Sequence, residues 1–366
     1  MKGGSYQPEF FFLSLLKILV DATSIKFYCF IVEMKKSLLY IAVVLTIASS
    51  CRKDRGDSQT IEIPNFNYPE TITFEDSLSA YNIYAGDPAN LIPTSDFQLL
   101  ELNSVLFTDY NYKQRLVKVP SGERITKLDD GSLDFPDGSI LVKTFYYYDD
   151  ENDTTRGKNI IESRLEIKES NTWNIASYRW NQTQTEAVLA LNGGDLDINW
   201  INTSGNSMAT TYHIPSQNEC ITCHQSNAIM SPIGPTLRNL NKTVQRGAIT
   251  HNQLDYLEAL GILSGSNASV EPSIPDYKNA SLSLEERGRA YLDMNCAHCH
   301  NPSGWDKCAE RDFDFRYETQ FSQTGIAHDG KDRIKDALLS GEMPFIGTTV
   351  LDQEGLNVVL DYLNTL

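Results

Sequence analysis

The chain has 366 residues, 41% hydrophobic and 22% charged, a globular balance with length for about two to three domains. Lys and Arg number 31 against 48 Asp and Glu, a net charge of −17, which repels phosphate backbones and argues against a nucleic-acid partner. No apolar run reaches the roughly 18 residues that a membrane-spanning helix needs.

At the N-terminus, Met34-Lys35-Lys36 precedes the apolar stretch Leu38 to Ile47 and then Ala48-Ser49-Ser50-Cys51. A basic start, a short apolar run and small residues before a cysteine describe an export signal. Residues 34–50 thus resemble a bacterial lipoprotein signal, with cleavage before Cys51 and lipid on its sulfur. That places the protein in the bacterial cell envelope, on a periplasmic or outer-membrane face. Residues 1–33, with the apolar run Phe10 to Val20, read as an upstream extension ahead of an initiator at Met34. Residues 51–72 are polar and aperiodic, which suits a tether.

From 73 to 215 the pattern is β. The turn signal Phe135-Pro136-Asp137-Gly138 leads into the β-branched and aromatic run Ile140 to Tyr148. Ile161, Ser163, Leu165 and Ile167 alternate with Glu162, Arg164, Glu166 and Lys168, which predicts a surface strand with one wet face. Trp173 to Trp180 and Ala187 to Leu191 read as further strands, and Asn192-Gly193 turns the chain toward Asp197 to Ile201. An antiparallel meander or sandwich is expected. Trp173, Tyr178, Trp180 and Trp200 are core packing in such a domain, or less commonly the lining of a groove.

Seven cysteines are present: Cys29, Cys51, Cys220, Cys223, Cys296, Cys299 and Cys308. Four of them form two identical frames, Cys220-Ile-Thr-Cys223-His224 and Cys296-Ala-His-Cys299-His300. Both are C-x-x-C-H, the attachment signature of c-type haem. Two thiols three positions apart can each bond one vinyl group of a porphyrin, and the next imidazole becomes the proximal iron ligand. The competing readings are a zinc site, whose Cys pairs usually lie about 15–20 residues apart, and a redox dithiol, which wants a βαβ context missing here; neither requires a His after both pairs. Here 72 residues separate Cys223 from Cys296. Cys308 is left over and reads as a buried or unpaired thiol.

A first haem module is expected over 216–264, with an amphipathic helix inside Thr250 to Leu263, then a linker over 265–282. Ser283-Leu-Glu-Glu286 is a capping box that starts a helix running toward Cys296, and Asp352 to Leu363 is a final helix.

The segment 283–366 resembles class I cytochrome c over nearly its whole length. Gly288 lies eight positions before Cys296, where that family places the glycine at which its first and last helices cross, with Leu292 on the same face and Tyr362 as the expected partner. Met343-Pro344 follows His300 by 43 residues, the position of the family's distal ligand. A His/Met pair raises the potential and closes the iron. Near the first frame, Gly234-Pro235-Thr236-Leu237 resembles the family segment whose Pro carbonyl bonds the proximal imidazole. The distal side departs from the family: no Met occurs in the 63 residues between Met230 and Met294. Met230, His251 and His213 remain candidates for the sixth position, as does an open iron.

Phe107-Thr-Asp-Tyr110, Phe135-Pro-Asp-Gly138, Lys143-Thr-Phe145 and Tyr291-Leu-Asp-Met-Asn-Cys-Ala-His-Cys-His300-Asn-Pro302 together resemble a bacterial family of exported dihaem cytochromes, over roughly 73–366. The resemblance implies an α+β multidomain chain: an antiparallel β-rich N-terminal domain followed by α-helical, cytochrome c-like haem modules. It implies two covalently bound haem c groups, redox partner proteins of the envelope and no established substrate. More faintly, Phe135 to Gly138 is similar to β-rich monohaem cytochromes with a lysine-linked haem, for which Lys143 is the nearest lysine. The expected function is electron transfer; the alternative is a peroxidase-like or nitrogen-oxide-active dihaem enzyme working at an open first iron.

Overall fold

A computed structural model of the chain describes residues 72–128, 131–226, 229–305, 308, 312–327 and 330–366. The signal segment and Cys51 lie outside the described residues. From Ile72 onward the described chain belongs to one compact unit of mixed α+β class, with antiparallel sheets and six helices among the described residues. None of those helices is long and apolar enough to cross a membrane.

The main sheet comprises β1 (Gln98–Leu99), β2 (Tyr112–Lys118), β5 (Ile140–Tyr148), β6 (Lys158–Glu169), β7 (Thr172–Trp180) and β8 (Ala187–Leu189), in the order β1-β2-β5-β6-β7-β8. All neighbours are antiparallel. Short strands β3 (Ile125–Lys127) and β4 (Leu133–Asp134) lie apart from it, joined to β15 (Leu263–Ser264). The hairpin β9 (Gly194–Ile201) and β10 (Ser207–Ile214) follows the turn at Gly193, whose φ of +66° favours glycine and where a Cβ would lie 2.3 Å from the Ile214 carbonyl.

Alternation gives the sheet two different faces. Leu116, Val142, Leu165, Ala176 and Tyr178 form one, packed against Phe74, Leu78, Ile83, Leu91 and Phe97 of the N-terminal segment. Each large apolar side chain buried there contributes about 1.5–3 kcal/mol. On the other face the register aligns Arg115, Lys143 and Arg164 across three strands.

The expected wet face of β6 is not wet: Glu162 is 0% and Glu166 5% exposed, and Lys168 is buried too. β6 lies between β5 and β7, and its charged side is roofed rather than solvated. Polar alternation reports what a face is made of, whereas solvation depends on what later chain covers it. Trp173, Tyr178, Trp180 and Trp200 are all buried, divided among three separate hydrophobic clusters, so they are core.

The roof begins with α1 (Gln217–His224), followed by the short pair β11 (Gln225–Ser226) and β12 (Ile229–Met230), and α2 (Leu237–Leu240). A hairpin of β13 (Thr243–Arg246) and β14 (Ile249–Asn252) then leads to α3 (Gln253–Ala259), so the predicted helix within Thr250 to Leu263 is present but shorter. Residues 265–282 run largely exposed over the surface and are anchored to the body by Ile274 and Tyr277, each 1% exposed.

The C-terminal part holds α4 (Leu284–Asn295), α5 (Gly330–Leu339) and α6 (Gln353–Asn364). Ser283 and Glu286 form both halves of the capping box that starts α4. Gly288 marks the crossing of α4 and α6, as expected: a Cβ there would lie 2.6 Å from Tyr362 Cβ. Asp109 ties this part to the β region by accepting the amides of Thr349 at 2.8 Å and Val350 at 3.2 Å.

Candidate functional site

The first C-x-x-C-H frame occupies α1. Ser216 caps the helix and Glu219 returns the capping bond, so Cys220, Cys223 and His224 lie on one short, well-started helix. Cys220 and Ile221 enter a hydrophobic cluster with Val117, Leu141, Trp173, Ile175 and Met230. Burial pushes the Cys220 thiol up to about 12.

His224 is 6% exposed, and its Nδ1 lies 3.1 Å from the Ser231 carbonyl. A carbonyl only accepts, so Nδ1 carries the proton and Nε2 keeps its lone pair for a ligand. The acceptor is Ser231 rather than the Pro235 carbonyl that the family resemblance implied, because the β11–β12 pairing returns the chain to the histidine after a few residues. Burial, then the neighbouring Lys143 and Arg164, hold the His224 pKa well below its usual value.

Behind α1 stands the charged face of the sheet. Glu162 accepts from Arg164 at 2.6 and 3.0 Å, from Ser177 at 2.8 Å and from Tyr212 at 2.8 Å. Glu166 Oε2 lies 3.7 Å from His224 Nδ1 and makes no hydrogen bond among the described residues. Burial raises the Glu166 carboxyl to about 7 and lowers Lys143 to about 8. A cavity of about 20 Å³, room for one water, is lined in part by Arg115, Lys143, Glu166, Ile233 and Pro235.

The second frame is built differently. Cys296 caps α4, and residues 296–300 form a turn in which Cys299 and His300 donate their amides to the Cys296 carbonyl at 3.1 and 2.8 Å. Burial pushes the Cys296 thiol up to about 12. The His300 ring packs on Phe313 and Phe315, with centroids 6.1 and 5.4 Å away. Met343 is half-buried beyond α5, and two residues later Phe345 stacks on Trp305, in the loop that follows His300.

The fold brings the two frames together. The Cys223 and Cys299 sulfurs and a His298 ring nitrogen lie within 4.8 Å of one another. Cys299 also hydrogen-bonds Cys308, which is buried as expected but adjoins the cluster. The hydrogen bond with Cys299 pulls the Cys223 thiol well down, while the same bond pushes Cys299 up. His298 is a participant that sequence reasoning passed over. It fills a variable position of the motif, and only the fold sets it against Cys223.

Among the candidates for the first sixth position, Met230 is 3% exposed and pairs with Gln225 across β11 and β12, next to His224. His251 sits on β14 against Tyr256, centroids 5.2 Å apart. His213 is tied through Nδ1 to Asp195 at 2.6 Å and through Nε2 to Glu219 at 3.1 Å, which leaves neither nitrogen for iron. No known protein family, curated protein or solved structure matches the chain.

Proposed function

We propose that this chain is a dihaem c-type cytochrome that carries electrons between redox partner proteins of the bacterial envelope, held at the membrane by lipid on Cys51. The observation that carries the reading is the meeting of two complete C-x-x-C-H frames at Cys223 and Cys299, one with its histidine already oriented by a carbonyl. The donor set fits the group. Cys220 and Cys223 would hold one haem with His224 as proximal ligand, and Cys296 and Cys299 the other with His300 and Met343.

Bound haem supplies an iron that takes up and releases one electron. The chain's own residues do the rest. Ser231 fixes the tautomer and orientation of His224 and raises its basicity. Met343, a soft and neutral donor, favours the ferrous state at the second iron. Contact between Cys223 and Cys299 sets the two attachment points side by side, which suits exchange between the two groups. For the first iron, Met230 is the candidate ligand closest along the chain to the motif.

A second reading rests on a specific observation. Cys223, Cys299 and His298 make a two-sulfur, one-nitrogen donor set, three of the four ligands that a structural zinc site takes, with Cys308 hydrogen-bonded to Cys299 beside it. This reading leaves Cys220, Cys296 and the oriented His224 without a role, and the haem reading uses all three.

Mass spectrometry of the exported protein separates the two. The expected result is two added haem masses and no bound zinc; no added haem with one zinc per chain would overturn the cytochrome reading. Carbon monoxide added to the reduced protein then separates carrier from enzyme. Uptake by neither haem supports the carrier, and uptake by one supports the catalytic alternative.

A further inference from the structure

Lys113, Arg115, Lys143 and Arg164 stand on one face of the sheet, on strands β2, β5 and β6. Arg164 is matched by Glu162. The other three have no ion pair or hydrogen bond among the described residues, although none of them is exposed. Burial accordingly lowers all three, Arg115 to about 10. The nearby carboxylates leave a surplus of positive charge: Asp109 is engaged by Thr349 and Val350, and the single carboxylate Glu166 shares one cavity with both Arg115 and Lys143. Half-buried cations that outnumber the carboxylates beside them are costly unless a further anion arrives to pair with them.

The position of these cations indicates which anion. Helix α1 packs over β7, and the cations occupy the strands beside it, with Lys143 and Arg164 close enough to influence both Cys220 and His224. β2 lies three strand spacings from β7, about 14 Å away. A haem has apolar edges and two propionate carboxylates, and Arg forks bind carboxylates in pairs of bonds.

We propose that Arg115 and Lys143, with Lys113 beside them, clamp the two propionates of the haem attached at Cys220 and Cys223. This rests on the dihaem reading above. The charged face that β2, β5 and β6 share is then the lining of a cofactor site, with cations placed for a ligand dianion rather than for water.

The test is a potentiometric titration of the full exported protein, followed by visible spectroscopy, with the variants Arg115→Gln and Lys143→Gln. Loss of a nearby cation favours the more positive ferric state. One of the two midpoint potentials is therefore expected to fall while the other stays fixed, and Lys143→Arg is expected to retain the original value. If these variants fold poorly, Lys113→Gln is read in the same way. Two unchanged midpoints in protein that carries two haems would overturn the clamp, whereas protein without haem would instead overturn the dihaem reading. The remaining outcome is a free anion: if inorganic phosphate raises the wild-type melting midpoint saturably and Arg115→Gln abolishes the effect, a mobile dianion occupies the face and the propionate assignment fails.

Discussion

The two C-x-x-C-H frames are alike in sequence and unlike in setting. The first lies in a capped helix laid over a sheet face of paired and unpaired charges. The second is a turn at the end of a longer helix, with aromatic rings packed on its histidine and charge, the Arg316–Asp314 pair and Arg333, outside those rings. The lesson is that a short attachment motif specifies donors and spacing only. The surrounding structure sets the dielectric and charge, and these set potential and ligand access.

The largest expected effect is spectroscopic and confined to the second frame. On the dihaem proposal, Met343→Ala is expected to abolish a methionine-to-iron absorption of the oxidised protein while leaving the bands of the haem proposed at the first frame in place. An unchanged spectrum would remove Met343 as a ligand and would make the two irons more alike than proposed.

The first frame should be the more sensitive to charge. Glu162→Ala leaves Arg164 buried without its carboxylate and strips hydrogen bonds from Ser177 and Tyr212. A loss of about 3–5 kcal/mol in chemical denaturation is expected. A loss below about 1 kcal/mol would mean that water reaches this face, and the contrast between the regions would weaken.

The second region should instead be sensitive to volume. Gly288→Ala places a methyl 2.6 Å from Tyr362, so α4 and α6 must separate. The expected cost is about 1–3 kcal/mol, read as a lower melting midpoint, with the potential of the first haem unaltered. A neutral or stabilising result would show that the crossing has slack.

The smallest effect concerns pH near the first frame. Partial burial opposes a charge on His213, but hydrogen bonds to Asp195 and Glu219 outweigh it and hold its pKa above the usual value. The resulting stability is fully present below the unfolded value of about 6.5 and is lost as pH rises through the higher folded value. Because the ring is largely exposed, the contribution is under about 1 kcal/mol. His213→Gln should flatten that part of the stability profile, and a profile unchanged by the substitution would show that the two carboxylates do not hold a proton there.

Much of the secondary structure was legible because local chemistry determines it. The run Ile140 to Tyr148 is the strand β5, and Ser283 with Glu286 starts α4 where the capping box requires. The close approach of Gly288 and Tyr362 was legible too, since a glycine on an otherwise apolar helix face has few other reasons to be there. The β6 reading failed because a period of two identifies faces without saying which one a later segment will cover. His298 was missed because the motif treats its position as free.

The sequence by itself determined the two donor frames, the elements that carry them and the capping that starts their helices, all of which depend on residues within a few positions of one another. Only the tertiary structure decided that Cys223 and Cys299, 76 positions apart, lie in contact, and that β6 turns its charges toward α1 rather than toward water. Both depend on how the sheet face and the helices after it share one buried volume. That is a matter of long-range packing and desolvation, which no local pattern records.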